Sequence, residues 1–334
     1  MIKYESIPLD SPAAWKDALD GIRHSFAQTW ENCNAMNMTT GCKTFLYVFQ
    51  KDDVKIICPY AERDFEGYTD IVTPYGFSGF TGNEDCSDFA NYWNEFVNEK
   101  NYICGYISQN PALLNNSYFT QANYFSDSSL FFLDLTLSLT ELFENLDTNR
   151  KKQLKDFKKI ESSFIYDRKA LMDFFIDNYY DFLKRINASA ANYFKKETLE
   201  YICGLDNIFM AGTGSNNKVE AVYIFAFTPY IGDCLFNVAR PEGREHSAAL
   251  LWRGLKFFRS KKIPLMNLGG GTKDLDNISL SKERFGAFKL PHTGIKQIYN
   301  KKIYKELCEE AGVDDIGMEN YFPAYRKNSK TKSE

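Results

Sequence analysis

Apolar residues in the first half of the chain recur at the spacings of helices and strands in turn. Ser11 and Pro12 suit the N-cap and first turn of a helix. The apolar residues that follow are spaced four or three apart, which predicts a single helix with one apolar face, carrying Trp15, Leu19, Ile22, Phe26 and Trp30. A hairpin, a helix and two further strands are predicted next, at Thr44–Gln50 with Val54–Pro59, Ser87–Lys100, Asn101–Ser108 and Leu130–Leu135.

The second half repeats this order of elements. An apolar stripe predicts a helix between Leu171 and Ile186, and a turn rich in Gly and Asn joins the strands of a second hairpin. The hairpin, strand, helix and final strand are predicted at Ile208–Ala211 with Val219–Phe227, Gly232–Ala239, Ser247–Ser260 and Ile263–Leu268. Because helix, hairpin, strands, helix and strand occur twice in this order, the pattern predicts a duplicated α/β unit.

A domain boundary is expected near residue 150. Ser138 and Glu141 have the spacing of a capping box, and a charged helix is predicted over Asp147–Lys159, with Arg150 on a solvated face. We therefore expect an N-terminal domain over residues 1–150 and a C-terminal domain over residues 151–325. The polar tail 326–334 is expected to be disordered.

Composition and charge exclude several classes of function. The 334 residues are 44% hydrophobic and 25% charged, and 40 basic against 44 acidic side chains give a net charge of −4 at pH 7. This balance lacks the positive surplus with which proteins neutralise nucleic-acid phosphates, so no nucleic-acid partner is expected. No apolar run has the length of a membrane helix, and the N-terminus lacks a signal-peptide pattern. A cytoplasmic protein without a membrane span is therefore expected.

The eight cysteines and three histidines show no metal-ligand spacing and no CxxC pair. Such scattering predicts buried, free thiols with no disulfide framework and no metal site. The scarcity of histidine, with none near a GxSxG-like turn, also argues against a catalytic triad.

A turn between a predicted strand and a predicted helix, Arg240–Ser247, is a candidate phosphate site. Its glycine, Gly243, leads into a helix N-terminus, where backbone N–H groups and the helix dipole favour anions. Arg240 and Arg244 can add bidentate contacts to a phosphate. The same pattern fits an ordinary strand-to-helix turn with solvated arginines, and spacing alone leaves both interpretations open.

Three consecutive glycines, Gly269 to Gly271, directly follow the last predicted strand. Without side chains there, a ligand or another backbone segment can approach closely. Charged residues follow at Asp274, Asp276, Lys282 and Arg284. In the first half, Asp70–Phe80 is similarly rich in Gly, Thr and Pro, which fits either an ordered substrate loop or a tight connection.

Three of these segments together resemble the FemAB-like acyltransferases, which are built from two acetyltransferase-type (GNAT) domains. They are TPYGFSG at Thr73–Gly79, the aromatic helix pair around Tyr179–Phe194, and the strand with LGGG, an aspartate and LSKERFG at Leu268–Gly286. The resemblance implies an α/β fold of two tandem GNAT-like domains with mixed sheets flanked by helices. It also implies that the N-terminal half shapes an acceptor cleft and that the C-terminal half holds coenzyme A.

The family's reaction is acyl transfer to an amine, and the resemblance leaves two branches open. One branch moves an acyl group from acyl-CoA to the amine of a nucleotide-linked (dTDP or UDP) amino sugar for surface polysaccharide, such as lipopolysaccharide O-antigen. The other takes amino acids from aminoacyl-tRNA for peptidoglycan bridges, and its members often carry a long helical arm. The net charge and the absence of a sustained heptad pattern favour the first branch.

We therefore expect a short acyl group, of acetyl or hydroxyacyl type, to pass from acyl-CoA to the amino sugar by direct attack in a ternary complex. Acyl-CoA is then a co-substrate, and no cofactor is bound permanently. The alternatives are the aminoacyl-tRNA-dependent peptidyltransferase and a double-GNAT scaffold without catalytic activity.

Acyl-transfer chemistry assigns candidate catalytic roles on this basis. An amine must lose a proton to attack a thioester, and Asp70 is the first candidate base, with Asp233 as the alternative. Tyr75 is the candidate for returning a proton to the CoA thiolate, and Asn267 is expected to orient the pantetheine amide.

Other residues are expected to contact the two substrates. Backbone N–H groups near the end of a splayed strand would meet the oxyanion, at Asn237, Val238 and Ala239. The candidate CoA contacts are Arg240, Gly243, Arg244, Ser247, Gly269 and Gly270. The candidate acceptor contacts are Thr73, Tyr179, Lys282 and Arg284, the two cations fitting a phosphate of either substrate.

Overall fold

The chain divides into two compact units. A computed structural model describes residues 2–120, 124–155, 157–215, 218–270, 277–313 and 321–327. Unit 1 comprises Met1–Arg23, Ala27–Asp127 and His292–Glu334, and unit 2 comprises His24–Phe26 and Ser128–Pro291. The division therefore differs from the boundary expected near residue 150, because it falls at Ser128 and because the chain rejoins unit 1 at His292.

Twelve strands and eleven α-helices form in the described residues. The strands are β1 (Ile2–Pro8), β2 (Lys43–Lys51), β3 (Val54–Phe65), β4 (Tyr68–Val72), β5 (Thr81–Gly82), β6 (Cys104–Ser108), β7 (Tyr124–Asp134), β8 (Ile208–Ser215), β9 (Lys218–Phe227), β10 (Gly232–Ala239), β11 (Leu265–Gly270) and β12 (Phe288–Ile298). The helices are α1 (Pro12–Leu19), α2 (Trp30–Thr40), α3 (Phe89–Glu99), α4 (Leu139–Glu144), α5 (Thr148–Leu154), α6 (Phe157–Glu161), α7 (Arg168–Arg185), α8 (Lys196–Gly204), α9 (Ser247–Ser260), α10 (Asn277–Glu283) and α11 (Lys301–Glu310).

Both units follow one plan, in which antiparallel strands lead to a short parallel pair. In unit 1 the strand order is β1-β2-β3-β4-β6, and β4 and β6 are parallel with α3 as the crossover between them. In unit 2 the order β8-β9-β10-β11 ends in the parallel pair β10 and β11, which α9 connects. Parallel neighbours require such a crossover. The predicted duplication of an α/β unit is therefore confirmed.

Each unit takes one further strand from the other half of the sequence. The C-terminal part of β12 pairs antiparallel with β6 over Gly294–Ile298, and β7 pairs antiparallel with β11. The sheets are mixed and carry helices, as the fold class predicted from the sequence requires.

Aromatic and aliphatic side chains fill a core in each unit. In unit 1, Trp93 and Phe96 of α3 pack against Tyr47 and Tyr60 of the sheet. In unit 2, the face of α9 predicted to be apolar packs on β9 and β11, through residues that include Leu255 and Phe258. Burial of such apolar surface is the main force that holds helices to sheets.

Two helices predicted as continuous are interrupted. The apolar stripe from Trp15 to Trp30 spans α1, a 3₁₀ turn and α2, because Gly21 takes a φ of 74° after the end of α1 and Thr29 caps α2 through its side chain. A left-handed residue ends a helix, although the periodicity of apolar residues continues past it. The charged helix predicted over Asp147–Lys159 likewise forms two helices, α5 and α6.

All eight cysteines are free thiols, as the sequence predicts, and six are buried while Cys42 and Cys234 are half-buried. No helix in the described ranges combines the length and the apolar character needed to cross a membrane.

Candidate functional site

The parallel strands β10 and β11 separate after two residue pairs. Gly232 lies opposite Met266 and Asp233 opposite Asn267, and no later pair joins the described residues of the two strands. Beyond these pairs β10 continues beside β9, and β11 continues beside β7. Ligands of open α/β sheets bind where strands part at their carboxyl ends. This opening is therefore the candidate site of unit 2.

A cavity of about 330 Å³ lies at the opening. Residues of β9, β10, β11, α9 and α10 line it, namely Tyr223, Cys234, Asn237, Leu251, Leu268, Asn277, Ile278, Ser281 and Lys282. Aliphatic walls with a few polar groups are typical of sites that hold a small molecule in one orientation. The cavity therefore has both the size and the lining of a ligand site.

Asp233, at the last paired position of β10, is a buried carboxyl with a raised pKa. It accepts hydrogen bonds from Asn267 Nδ2 (3.0 Å) and from the backbone N–H of Phe26 (3.4 Å). Both donors are neutral, so desolvation dominates and raises the pKa of Asp233 to about 6. Such a carboxyl is mostly ionised at neutral pH and is a stronger base than an exposed aspartate, as general-base catalysis requires.

Asn267 positions Asp233 and also shapes the turn after it. Its Oδ1 accepts a hydrogen bond from the backbone N–H of Gly269 (2.8 Å), while its Nδ2 holds Asp233. Gly269 has a φ of 77°, a conformation that strongly favours glycine. Both ends of the Asn267 carboxamide are thus engaged within unit 2, and its expected contact with the pantetheine amide is not supported.

The side chain of Lys282 reaches back from α10 to the glycine turn. Its Nζ donates a hydrogen bond to the backbone oxygen of Gly270 (2.5 Å), and the side chain lines the cavity. Lys282 therefore lies at the cavity, while its expected contact with a phosphate stays a prediction.

The phenol of Tyr223 stands in the cavity wall among polar side chains from three elements. Its ionisation responds to Asn237 of β10, Ser247 of α9 and the charge of Arg150 on α5. These groups favour the phenolate, yet burial outweighs them and raises the pKa of Tyr223 to about 12. Tyr223 therefore keeps its proton at neutral pH and can act as a proton donor. The expected contacts of Asn237 and Ser247 with CoA stay predictions.

Two polar contacts hold α10, one wall of the cavity, against α5. Arg150 Nη2 donates to Ser281 Oγ (2.7 Å), and Arg284 Nε lies 3.8 Å from Asp147 Oδ2. Arg150 is thus not part of a purely solvated face. Arg284 is paired with Asp147 and lies outside the cavity lining, so its expected role in substrate binding is not supported.

Close packing determines the conformation of the turn Arg240–Ser247. A Cβ at Gly243 would lie 2.5 Å from the backbone oxygen of Glu220, so only glycine lets the turn pack on β9. Arg240 donates from Nε to Asn178 Oδ1 on α7 (3.2 Å). The phosphate roles expected of Gly243 and Arg240 are therefore not supported, whereas that of Arg244, which is exposed on the turn, stays a prediction.

Two of the last residues of β10, Val238 and Ala239, make contacts within the fold. Val238 is buried, and the backbone oxygen of Ala239 accepts a hydrogen bond from Arg185 Nη2 (2.8 Å). The oxyanion role expected for the N–H groups of residues 237–239 stays a prediction.

Asp70, the first candidate base, is bound in a buried ionic network of unit 1. Arg63 Nε and Arg326 Nε each donate to one carboxylate oxygen (2.7 and 2.6 Å), and the Tyr325 hydroxyl donates as well (2.7 Å). Two cations and a phenol stabilise the carboxylate and occupy the oxygens that would accept a proton. The assignment of Asp70 as the base is therefore not supported by its contacts.

Polar groups of the loop after β4 also form hydrogen bonds within unit 1. Thr73 is buried, and its hydroxyl oxygen accepts a hydrogen bond from the backbone N–H of Ser108 (3.0 Å), so it supports the loop. Tyr75 is 48% exposed, and its backbone oxygen accepts from Asn32 Nδ2 (3.4 Å). A substrate contact by Thr73 is not supported, and the proton-donor role of Tyr75 stays a prediction.

Tyr179 belongs to the core of unit 2. Its ring packs against Phe175 and Phe236, and its hydroxyl donates to the backbone oxygen of Asn192. Tyr179 is buried, with 2% of its surface exposed, and its expected contact with the acceptor is not supported.

Three residues of the site carry no clear signal in the sequence. Tyr223 lies in an apolar strand, Cys234 is one of eight scattered cysteines, and Arg150 is one of several basic residues in a charged segment. Alternate residues of a strand point to opposite faces of the sheet, so the sequence assigns Tyr223 to one face of β9. Only the folded structure shows that the cavity lies on that face. Gly271, Asp274 and Asp276, singled out in the sequence, lie outside the described residues.

Comparison with known proteins identifies the fold but no family. No family model matches the chain, and no curated protein matches it. Among solved structures, FemX is similar with a TM-score of 0.67 at 9% identity, covering 91% of this chain and 99% of FemX.

Two further structures support the same fold. A C-terminal domain from Agrobacterium fabrum, of a protein assigned as a lysylphosphatidylglycerol synthetase, is similar with a TM-score of 0.56 at 15% identity, covering 90% of this chain and 96% of the domain. L-PGS from Bacillus licheniformis is similar with a TM-score of 0.55 at 10% identity, covering 87% of this chain and 92% of that one. The chain thus has a FemAB-like, GNAT-type fold.

Proposed function

We propose that the chain is an N-acyltransferase whose reaction takes place at the opening between β10 and β11. The observation that carries the proposal is this opening, where the strands part beside a ligand-sized cavity and where Asp233, a buried carboxyl of raised pKa outside the cavity lining, takes the last paired position of β10. Fold alone does not assign an activity, so the proposal rests on these groups.

Asp233 supplies the base in this proposal. An amine is mostly protonated at neutral pH and attacks an acyl carbonyl only after it has lost a proton. The amine reaches the site in its neutral form, Asp233 takes a second proton from it as the nitrogen bonds to the carbonyl carbon, and Asn267 keeps the carboxyl in place (3.0 Å). We expect direct attack in a ternary complex, because burial also raises the pKa of Cys234, the thiol in the cavity wall, to about 12 and leaves it a poor nucleophile.

Tyr223 supplies the acid. When the tetrahedral intermediate collapses, the bond from carbon to the leaving sulfur or oxygen breaks, and the leaving atom takes up a proton. The Tyr223 hydroxyl, with a pKa of about 12, holds a proton for this step at neutral pH and lines the cavity. We propose Tyr223 for the role first given to Tyr75.

For the substrates we propose acyl-CoA as donor and a nucleotide-linked amino sugar as acceptor, as the sequence resemblance implies. A second candidate donor is aminoacyl-tRNA. The fold similarity to a domain of a lysylphosphatidylglycerol synthetase, a name that denotes a lysyl-bearing product, supports this alternative. In both cases an acyl carbonyl is attacked at the same site.

Thiol release and calorimetry test the proposal together. The purified chain, freed of bound ligand, is titrated with CoA and then incubated with acetyl-CoA and a panel of dTDP- and UDP-linked amino sugars. We expect CoA to bind in the micromolar range and thiol to be released only when an amino sugar is present. Activity that needs charged tRNA and is destroyed by RNase would instead favour the aminoacyl donor. Absence of both binding and turnover would favour a non-catalytic scaffold.

A further inference from the structure

Positive charge borders the cavity on the side formed by α10. Lys282 lines the cavity, and Arg150 lies directly behind Ser281, to whose Oγ it donates at 2.7 Å. The charge of Arg150 also acts on the phenol of Tyr223, another residue of the cavity wall. None of the described residues that line the cavity is acidic.

Arg150 has hydrogen-bonding capacity that its two acceptors, Gln153 and Ser281, do not use. Nη1 donates to Gln153 Oε1 (2.8 Å) and Nη2 to Ser281 Oγ, both of them neutral acceptors. Its Nε is buried and has no hydrogen-bond partner among the described residues. A guanidinium carries five donors in one plane, an arrangement that matches a carboxylate.

The rest of the cavity wall includes an aliphatic surface, which limits the kind of ligand that can bind. Leu251, Leu268 and Ile278 supply an aliphatic surface next to the polar side chains Ser281 and Lys282. A short methylene chain can contact the aliphatic surface while a polar end group faces the cations. An end group with positive charge would meet like charge in a partly desolvated site, which is unfavourable.

We infer that the acyl group held in this cavity ends in a carboxylate, as in thioesters of dicarboxylic acids, and that Arg150 and Lys282 select it. The inference rests on the proposed function, because it takes the cavity as the place of the donor's acyl end. The inference also distinguishes acyl-CoA from aminoacyl-tRNA as the donor. An aminoacyl group carries an ammonium group, which the positive charge at this cavity would repel.

Three thioesters of nearly equal size test the charge preference. Malonyl-CoA ends in a carboxylate, propionyl-CoA in a methyl group and β-alanyl-CoA in an ammonium group, and calorimetry compares their Kd values with that of free CoA. We expect malonyl-CoA to bind at least about tenfold more tightly than propionyl-CoA, equivalent to about 1.4 kcal/mol, with β-alanyl-CoA weakest. This comparison uses the unaltered chain and does not depend on the folding of a variant.

Arg150→Met then tests which residue produces the preference. We expect the ratio between malonyl-CoA and propionyl-CoA to fall to within about twofold, because methionine keeps much of the side chain's length and removes its charge and its N–H donors. Lys152→Met on the same helix, where Lys152 is exposed, is the matched control and is expected to leave all Kd values unchanged. Thermal melting verifies that each variant is folded.

The outcomes distinguish this inference from the proposed function. Tight binding of CoA with equal Kd values for the three thioesters, or with β-alanyl-CoA the tightest, would overturn the inference and leave the proposed function intact. An equal loss of affinity for CoA and all thioesters in Arg150→Met would assign Arg150 to the CoA phosphates and also overturn it. If neither CoA nor any thioester binds, the acyl-CoA donor is wrong and the inference fails with it.

Discussion

Asp233 and Asp70 are both buried aspartates, and their neighbours give them different chemistry. Asp233 accepts hydrogen bonds from an amide and a backbone N–H, so burial raises its pKa to about 6. Asp70 is held by Arg63 and Arg326, which fix it as a structural anion. A raised pKa near neutrality is the property expected of a catalytic base.

Asp233→Asn tests the base directly. We expect kcat to fall about a hundredfold or more, the usual scale of general-base catalysis, with little change in the Kd of CoA. In the wild type, kcat/KM should rise with pH through about 6, the pKa of Asp233, and the variant should lack this limb. Asp206→Asn, at an exposed turn position of the same unit, is the control. A wild-type pH profile in Asp233→Asn would exclude Asp233 as the base.

The same carboxyl predicts a pH dependence of stability. Its pKa in the folded state, about 6, lies above the ordinary value of 3.8, so between these values the folded protein binds more protons than the unfolded one. Its contribution to stability is therefore fully present below the ordinary pKa and is lost as the pH rises through about 6. Asp233→Asn should remove this pH dependence, so that the difference in Tm between wild type and variant shrinks as the pH rises through about 6. A difference in Tm that does not change with pH would contradict the assigned environment.

Tyr223→Phe tests the acid. The change removes the hydroxyl proposed as the proton donor, and we expect kcat to fall about a hundredfold, the lower end of general acid–base catalysis, with acyl-CoA affinity nearly unchanged. Tyr201→Phe on α8 is the control. Equal rates for Tyr223→Phe and the wild type would return the proton-donor role to Tyr75 or to water.

At the scale of elements, the separation of β10 from β11 depends on the glycine turn that ends β11. Gly269 has a φ of 77°, and Asn267 and Lys282 hold the turn from either side. A side chain at this φ costs about 1–2 kcal/mol, so Gly269→Ala should lower the free energy of unfolding by about that amount and weaken acyl-CoA binding. Gly204→Ala, where a Cβ meets no atom within 4 Å, is the matched control and should be neutral. Equal stability of the two variants in chemical denaturation would contradict this account of the turn.

Sequence patterns predicted the elements well and the site only in part, for a physical reason. The strand Gly232–Ala239 and the helix Ser247–Ser260 were predicted with the bounds observed, because their apolar periods and caps are local. The break at Gly21 was missed, because the apolar stripe continues on both sides of it. Two partners of Asp70, Tyr325 and Arg326, come from far along the chain, and no local pattern contains them.

At the scale of the whole molecule, the chain beyond His292 belongs to unit 1 and is held there by strand pairing with β6, by apolar packing and by an ion pair of Arg326. Arg326, placed by the sequence in a disordered tail, lies in a 3₁₀ turn and pairs with the buried Asp70 at 2.6 Å. The expectation of disorder is therefore wrong for Arg326 and Lys327, and residues 328–334 lie outside the described residues.

Arg326→Ala tests how much this contact contributes. Without Arg326, the buried negative charge of Asp70 has one fewer cation to balance it. We therefore expect the free energy of unfolding to fall by about 2 kcal/mol or more. Lys327→Ala, at the exposed neighbouring position, should change it little. Equal denaturation midpoints for the two variants would show that the pair contributes nothing to stability.

The measurement that tests the central claim most directly is protection of Cys234 from alkylation. Cys234 lines the cavity and Cys42 lies in unit 1, and both are half-buried while the other six thiols are buried. The chain is treated with iodoacetamide at alkaline pH, with and without saturating acyl-CoA, and each site is followed by peptide mass spectrometry. We predict that acyl-CoA slows modification of Cys234 several-fold and leaves Cys42 unchanged. Bound acyl-CoA without protection of Cys234 would contradict the placement of the donor between β10 and β11.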